Sequence, residues 1–370
     1  MPLLTRPARQ RASFHTLRVS DVERLTDDAV TVRFLVPHEL SGDFTFEPGQ
    51  HLTLRATIAG EDVRQSYSIC QARSESERSG TLRVASARVP EGRMSNWLND
   101  IVQPGDAIEV LTPMGSFVCP TQPEVARHHV AIAAGSGITP VLSLITTALE
   151  EEPDSRVTLL FGNRRTSSIM FLEELEDLKN AYPGRFQLVH VLSREAPDVE
   201  LFHGRLDPER LAAIIAALLP VETVDEWYVC GPFGMVTGAE ALLLERGVAK
   251  SHVHHEIFHV DDGREPAPQM ESDPSAPPAA VVTVTLDGRT TEVPMSSVED
   301  SILAATLRTR PDAPFSCTGG VCGTCRARLV EGEVRMDRNY ALEPEEIEAG
   351  IILPCQARPL TETVRLDYDA

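Results

Sequence analysis

Between Phe14 and Val118 apolar and polar residues alternate in short runs, TVRFLVP, HLTLRATI, YSIC, TLRVASARV and AIEVLTP, separated by Gly, Pro and Asp. A period of two with β-branched residues predicts half-buried strands, and this many of them predicts a small antiparallel barrel. Within it, Met94, Trp97 and Leu98 fall at helical spacing and predict a short helix from Arg93 to Asp100. Near Val130 the pattern changes. VAIAAG, VTLLFGN, FQLVHVLS and EWYVCGP are apolar runs that alternate with the helical patterns GITPVLSLITTALEE, MFLEELEDLKNAY, Asp207 to Leu219 and MVTGAEALLLERG. That order predicts a doubly wound α/β domain with a mainly parallel sheet, its ligand lying beyond the C-terminal ends of the strands.

From Asp261 to Ala280 prolines, glycine, serines and acidic residues preclude a packed element and predict a linker. Beyond it, VVTVTL and TTEVPM predict a hairpin turning at Asp287-Gly288, and SILAATLRT a helix. ARLVEGEVRM predicts a second hairpin around Glu331-Gly332, and TVRLDY a closing strand. The expected fold is therefore multidomain: a β-barrel over 12–122, an α/β domain over 123–262, a linker over 263–279 and a small α+β domain over 280–370.

With 370 residues, 42% of them hydrophobic, the chain can build several modest cores. A net charge of -21 argues against nucleic acid and anionic membranes as partners and favours a basic docking patch. No run approaches the length of a membrane span, and the Arg- and Pro-rich segment from Arg6 to Arg11 has no apolar signal core. Seven cysteines, an odd number, fit a reducing compartment, so a cytoplasmic location is expected. There is no G-x-S-x-G elbow.

Cys317, Cys322 and Cys325 are spaced C-x4-C-x2-C, and Cys355 follows after twenty-nine residues. This is the plant-type [2Fe–2S] arrangement: four soft ligands, with Gly319, Gly320 and Gly323 letting backbone N–H groups approach the sulfides. A four-cysteine zinc site is the competing metal reading, although zinc usually takes two close pairs. The loop is expected to hold Cys322 and Cys325 near the surface. Cys70 and Cys119 match no ligand position and read as core residues.

Gly135-Ser-Gly137-Ile-Thr139-Pro140 lies between an apolar strand and a helix, where a pyrophosphate can meet backbone amides; an ordinary strand-to-helix turn is the plainer alternative. Cys230-Gly231-Pro232 ends another strand, and two such glycine turns favour a shared dinucleotide cleft. In RQSYSIC, Tyr67 is suited to pack on an isoalloxazine face, Ser68 to bond its polar edge and Arg64 to reach a phosphate, with Ile69 next in the strand. Gly92, Met94 and Ser95 precede or open the short helix and are candidates for the flavin pyrophosphate. These regions complete one another, because a nicotinamide gives up two electrons as hydride, a cluster accepts one, and a flavin converts between them. His252, His254, His255 and His259 invite a metal reading but, with no cysteine nearby, read as surface or interdomain residues.

RQSYSIC, EGRMSNWLND, AGSGITP, FGNRRTSSIMF, CGPFGM, CTGGVCGTCRARLVEGEV, MDRNYALEPEEIEAG and LPCQARPLT together resemble the ferredoxin–NADP reductase superfamily with a C-terminal plant-type ferredoxin domain. The resemblance implies a β-grasp fold for the C-terminal α+β domain, FAD between barrel and α/β domain, with Tyr67, Ser68 and Ser95 around it, and NADPH over Gly135, Gly137, Thr139 and Pro140. It places Cys230 and Gly231 near the nicotinamide, Glu256 near the flavin edge, and Arg164, Arg165 and Arg194 near the adenosine 2′-phosphate. The family has Arg-x-Tyr-Ser in its flavin motif; here Gln65 stands two before Tyr67 and the arginine is Arg64. The implied activity is an NAD(P)H-dependent oxidoreductase feeding a di-iron oxygenase, of the phenylacetyl-CoA epoxidase kind. The alternatives are another oxygenase reductase (ring-hydroxylating, steroid or alkane) and a ferredoxin-like carrier or sensor.

Overall fold

The computed structural model describes residues 12–259, 279–297 and 300–370. By their contacts these residues form two compact units, one of 14–63 with 67–259, the other of 279–370 with 12, 13 and 64–66. All but the last residue of the expected linker lies outside the described residues.

The first unit opens with six antiparallel strands, β1 (Phe14–Thr26), β2 (Ala29–Leu35), β3 (His51–Ile58), β4 (Glu61–Ser68), β5 (Thr81–Ala87) and β6 (Ala107–Leu111), in the order β4-β3-β6-β1-β2-β5. β1 and β6 alternate as the sequence implies, burying Leu17, Val19, Ile108 and Val110, whereas the first four residues of β2 and of β3 and nearly all of β5 are buried in succession. Each fully buried aliphatic or aromatic side chain contributes roughly 1.5–3 kcal/mol. Helix α1 (Arg73–Ser79) was not legible in the sequence, because RSESERS buries no residue and so has no apolar period. It ends at Gly80 in the left-handed region (φ 64°), and Arg73 ties it to Glu151 (3.2 Å). Helix α2 (Arg93–Asp100) buries Met94 and Leu98, as its spacing predicts.

A parallel sheet follows: β7 (His128–Ala134), α3 (Ile138–Glu151), β8 (Arg156–Asn163), α4 (Leu172–Ala181), β9 (Phe186–Leu192), α5 (Pro208–Leu218), β10 (Glu226–Pro232), α6 (Phe233–Glu245) and β11 (Val253–His259). The strand order is β11-β10-β7-β8-β9. The chain therefore reverses its direction of winding between β7 and β10, which opens a crevice at their C-terminal ends. Asp207 caps α5 by accepting from Arg210 N (2.9 Å), with Pro208 in the first helical position where its missing N–H is harmless.

Barrel and sheet share one core, in which Cys70, Ala85, Phe117 and Cys119 pack with Ile138, Val141, Phe161 and Phe171. Polar ties reinforce it. Arg83 on β5 donates to Glu174 on α4 (2.8 and 3.0 Å) and to the Cys70 carbonyl (2.6 Å), and Ser143 on α3 donates to the Gln71 carbonyl (2.7 Å).

At the N-terminal end of the sheet a charged group is sealed inside. Glu152 pairs with Arg127, accepts from Ser155 Oγ (2.7 Å) and from Gln122 N (2.9 Å), and faces His129 Nε2 (2.9 Å). Burial works against both charges. Bonds from His129, Arg127 and Ser155 nonetheless hold the Glu152 carboxyl down to about 2, and Cys119 and Glu152 hold the His129 imidazolium up to about 9.

The second unit is a mixed sheet of β12 (Ala280–Leu286), β13 (Arg289–Met295), β14 (Ala327–Glu331), β16 (Ile351–Ile352) and β18 (Thr363–Asp367), ordered β13-β12-β18-β14-β16, with α7 (Ile302–Thr309) and α8 (Pro344–Glu348). β15 (Val334–Met336) pairs separately with β17 (Ala357–Pro359). The β12–β13 hairpin turns at Asp287 and Gly288, both at positive φ (57° and 66°), as a two-residue turn requires. The second expected hairpin does not form. β14 and β15 take different partners, because Gly332 turns left-handed (φ 89°) against the start of β18, where a Cβ would stand 2.4 Å from the Thr363 carbonyl oxygen. β18 does not close the sheet at an edge; it lies centrally, parallel to β12 and antiparallel to β14.

Candidate active site and cluster loop

The crevice is built from two strand ends. β7 runs into Gly135, left-handed at φ 55° with open space where a Cβ would be, then into Ser136 and Gly137. Gly137 touches the neighbouring strand: a Cβ there would stand 2.2 Å from the Cys230 carbonyl oxygen and 3.0 Å from Gly231 N. Both glycines are therefore required, the first by conformation and the second by close approach. Thr139 donates to the Ser136 carbonyl (3.0 Å), and Pro140 lies in the first turn of α3. This glycine turn at a helix start suits a pyrophosphate. Cys230 is fully buried, and burial followed by the nearby Glu256 charge pushes its thiol far above the usual range. It is a neutral packing group and no nucleophile.

On the barrel side, Tyr67 is half-buried with its phenol pushed up by burial, Ser68 is buried and Ile69 is fully buried against β5. Ser68 Oγ donates to Glu256 Oε2 (3.4 Å), and Glu256 pairs through its backbone with Cys230. Ser68, Glu256 and Cys230 thus form one continuous group. Arg64 is buried on β4 and, with Gln65 and Ser66, counts with the second unit. Gly92 caps α2. Met94 is buried in the barrel core, and Ser95 Oγ accepts from Val89 N (3.2 Å) and donates to the Gly92 carbonyl (3.4 Å).

Arg164 and Arg165 follow β8, and Arg194 follows β9; all three are exposed. The two loops are joined by backbone bonds, Ser193 N to Asn163 O (3.0 Å) and Arg194 N to Arg164 O (2.8 Å). Beside them Glu195, which sequence reasoning passed over, accepts from Thr166 N (2.9 Å) and Thr166 Oγ1 (2.8 Å). Only its neighbour Arg194 hinted at it. Arg83 was missed as well, because nothing local marks a strand arginine that bonds across ninety-one positions to Glu174. Of the histidine group, His252 and His254 face Glu226 (3.4 and 2.9 Å) and His255 faces Glu240 (3.9 Å); the His259 side chain lies outside the described residues.

In the second unit the four cysteines lie on one loop and its neighbour, none of them in a disulfide. Cys322 N donates to Cys317 Sγ (3.3 Å), and the Cys322 thiol and amide hold the Cys317 thiol down to about 6. Cys325 is hydrogen-bonded to Cys355, which together with burial raises its thiol. Gln356 Nε2 donates to the Thr318 carbonyl (2.7 Å), and Tyr340 N to the Gly320 carbonyl (3.0 Å), so the loop is pinned on two sides. The cysteines form two hydrogen-bonded pairs, Cys317 with Cys322 and Cys325 with Cys355, and a [2Fe–2S] cluster takes four cysteine ligands. The surface pair differs from expectation. Cys317 and Cys322 are half-buried, whereas Cys325 is buried in the domain core with Cys355.

Comparison with known proteins matches the oxidoreductase FAD-binding domain to residues 16–119, the oxidoreductase NAD-binding domain to 131–241 and the 2Fe-2S iron-sulfur cluster binding domain to 284–360. The chain is 42% identical to one of the subunits of the 1,2-phenylacetyl-CoA epoxidase of Escherichia coli, over 97% of this chain and 98% of that one. It is 36% identical to the ferredoxin reductase component of 3-ketosteroid-9-alpha-monooxygenase from Rhodococcus rhodochrous, over 95% and 96%. Its fold is similar to that of phthalate dioxygenase reductase, with a TM-score of 0.56, 22% identity and coverage of 96% and 98%.

Proposed function

We propose, for a chain that belongs to the ferredoxin–NADP reductase superfamily with a C-terminal plant-type ferredoxin domain, that its electrons leave to a di-iron oxygenase of the phenylacetyl-CoA epoxidase kind. The protein is an oxidoreductase that uses NADPH, FAD and a [2Fe–2S] cluster. When bound, FAD takes electrons as a pair and releases them singly, which is what couples a nicotinamide to a one-electron cluster. The observation that carries the reading is the contact of the Gly137 turn with Cys230–Gly231, next to the Ser68–Glu256 bond. It brings a pyrophosphate cradle and a flavin-motif hydroxyl into one crevice.

In this reading the FAD domain spans 12–122, the nucleotide domain 123–262 and the cluster domain 280–370. Tyr67 covers the flavin ring, and the Ser68–Glu256 pair holds a proton at the ring's polar edge. Gly92, Met94 and Ser95 serve its phosphates, whereas Arg64, expected beside them, is engaged within the second unit, where it donates to the Pro311 (3.0 Å) and Ala313 (3.2 Å) carbonyls. Gly135, Gly137, Thr139 and Pro140 cradle the NADPH pyrophosphate, while neutral Cys230 and Gly231 pack beside the nicotinamide. Arg164, Arg165 and Arg194 grip the 2′-phosphate, which suits the charged fork of arginine. Cys317, Cys322, Cys325 and Cys355 ligate the cluster. No described helix is long and apolar enough to cross a membrane; seven cysteines, an odd number with four assigned to the cluster, fit a reducing cytoplasm.

Anaerobic titration with NADPH tests the core of this reading: flavin absorbance should bleach, followed by the paramagnetic signal of a reduced cluster. Failure of bound flavin to bleach would sink it. Cys355→Ser should abolish cluster absorbance, and a normal cluster in that variant refutes the ligand set. Reconstitution with candidate oxygenases tests the partner: the epoxidase should be supported best, and preference for a steroid oxygenase would transfer the assignment to that system.

A further inference from the structure

We propose that Glu195 sets the choice between NADPH and NADH by competing with the coenzyme's 2′-phosphate for the amide and hydroxyl of Thr166. The inference rests on the reading above that Arg164, Arg165 and Arg194 receive that phosphate, and it adds a residue that opposes them.

Three observations carry it. The first is position. The loops after β8 and β9 stand at the C-terminal ends of strands on one side of the crevice, and their backbones are bonded through Ser193–Asn163 and Arg194–Arg164. A dinucleotide whose pyrophosphate lies at the Gly135–Gly137 turn extends its adenosine along this edge of the sheet. The second is bonding. Glu195 takes both donors of Thr166, N–H and Oγ–H, with its two carboxylate oxygens, at 2.9 and 2.8 Å. Those are the donors a phosphate seeks, and a carboxylate already occupies them. The third is charge. Arg164, Arg165, Thr166, Arg194 and Glu195 are all exposed, so coenzyme can reach them. The Thr166 bonds, with Arg165 adding to them, hold the Glu195 carboxyl below the usual range and hence ionised at neutral pH.

The consequences differ for the two coenzymes. A 2′-phosphate brings roughly two negative charges and must either displace Glu195 from Thr166 or lie beside it. A 2′-hydroxyl brings none, and a carboxylate is the ordinary acceptor for it. The turn therefore combines arginines that favour NADPH with an acid that favours NADH.

The test uses full-length protein loaded with FAD and cluster. kcat/KM is measured for NADPH and for NADH with ferricyanide as acceptor, and inhibition by 2′,5′-ADP is compared with inhibition by 5′-AMP. Glu195→Gln should raise the NADPH/NADH ratio on the order of tenfold, the scale of one charge-assisted hydrogen bond, and tighten 2′,5′-ADP relative to 5′-AMP by a similar factor. Thr166→Val should blunt that effect in the double variant, because the two residues then no longer act independently. A ratio and an inhibitor preference within twofold of wild type in Glu195→Gln, while Arg165→Ala weakens 2′,5′-ADP, would overturn the role of Glu195 alone. If Arg164→Ala and Arg165→Ala leave 2′,5′-ADP unaffected, the phosphate assignment itself falls, and this inference with it.

Discussion

The two ends of the parallel sheet hold similar side chains in opposite conditions. At the N-terminal end Arg127, His129 and Glu152 are buried and paired with one another. At the C-terminal end Arg164, Arg165, Arg194 and Glu195 are exposed beside a glycine turn that borders a crevice. The closed end uses charge to join the segment before β7 to the end of α3, and its charges are spent on each other. The open end keeps cations where a phosphate can displace water. Charge content alone does not distinguish the two ends; exposure at the carboxyl ends of strands, where the proposed coenzyme site lies, does.

The contrast breaks most visibly at Glu152. Glu152→Ala strands Arg127 and His129 in the interior, and the expected loss is about 3–5 kcal/mol in urea unfolding. A loss below about 1 kcal/mol would mean the closed end is not structural. The same network sets a pH profile. His129, raised from 6.5 to about 9, contributes stability that is complete below pH 6.5 and is lost as pH rises through 9. Glu152, lowered from 4.5 to about 2, contributes stability present above pH 4.5 and lost as pH falls through 2. Urea midpoints should therefore plateau between pH 4.5 and 6.5, and His129→Phe should flatten the alkaline decline, which spans of order 3 kcal/mol.

At the open end, Gly137→Ala places a methyl against the Cys230 carbonyl and should cost about 1–3 kcal/mol in stability. Stopped-flow flavin reduction by NADPH should also slow by about a hundredfold, because the turn must shift. Gly184→Ala, with nothing within 4 Å, is the control and should change neither. The smallest effect is on folding at Arg165: Arg165→Ala should move the unfolding midpoint by no more than about 0.5 kcal/mol while weakening 2′,5′-ADP, which separates binding from stability.

Much of the fold was legible because its signals are local. The Asp287-Gly288 turn is written in two adjacent residues, and both take the positive φ that such a turn needs. The alternation of β12 and the apolar runs of β7 and β8 reflect burial on one face or two. Local reading failed where a competing partner lay far away. The hairpin expected at Gly332 looked sound until β18, from the last residues of the chain, took β14. Cys325 looked like a surface ligand because its loop is glycine-rich, yet Tyr368 and Leu366 belong to the core that covers it. Helix α1 has no buried face and left no pattern to read.

The order of domains, the chemistry of four cysteines at their spacing and the glycine turn after β7 were determined by the sequence itself, because each depends on neighbours along the chain. The tertiary structure decided which distant side chains meet: Glu256 with Ser68 across 188 positions, Glu152 with Arg127 across 25, Glu195 with Thr166 across 29. A period or a motif records how a residue relates to its own element. Hydrogen bonds and ion pairs between elements depend on angles and distances that no local pattern encodes, and in this protein those contacts separate the sealed end of the sheet from the working one.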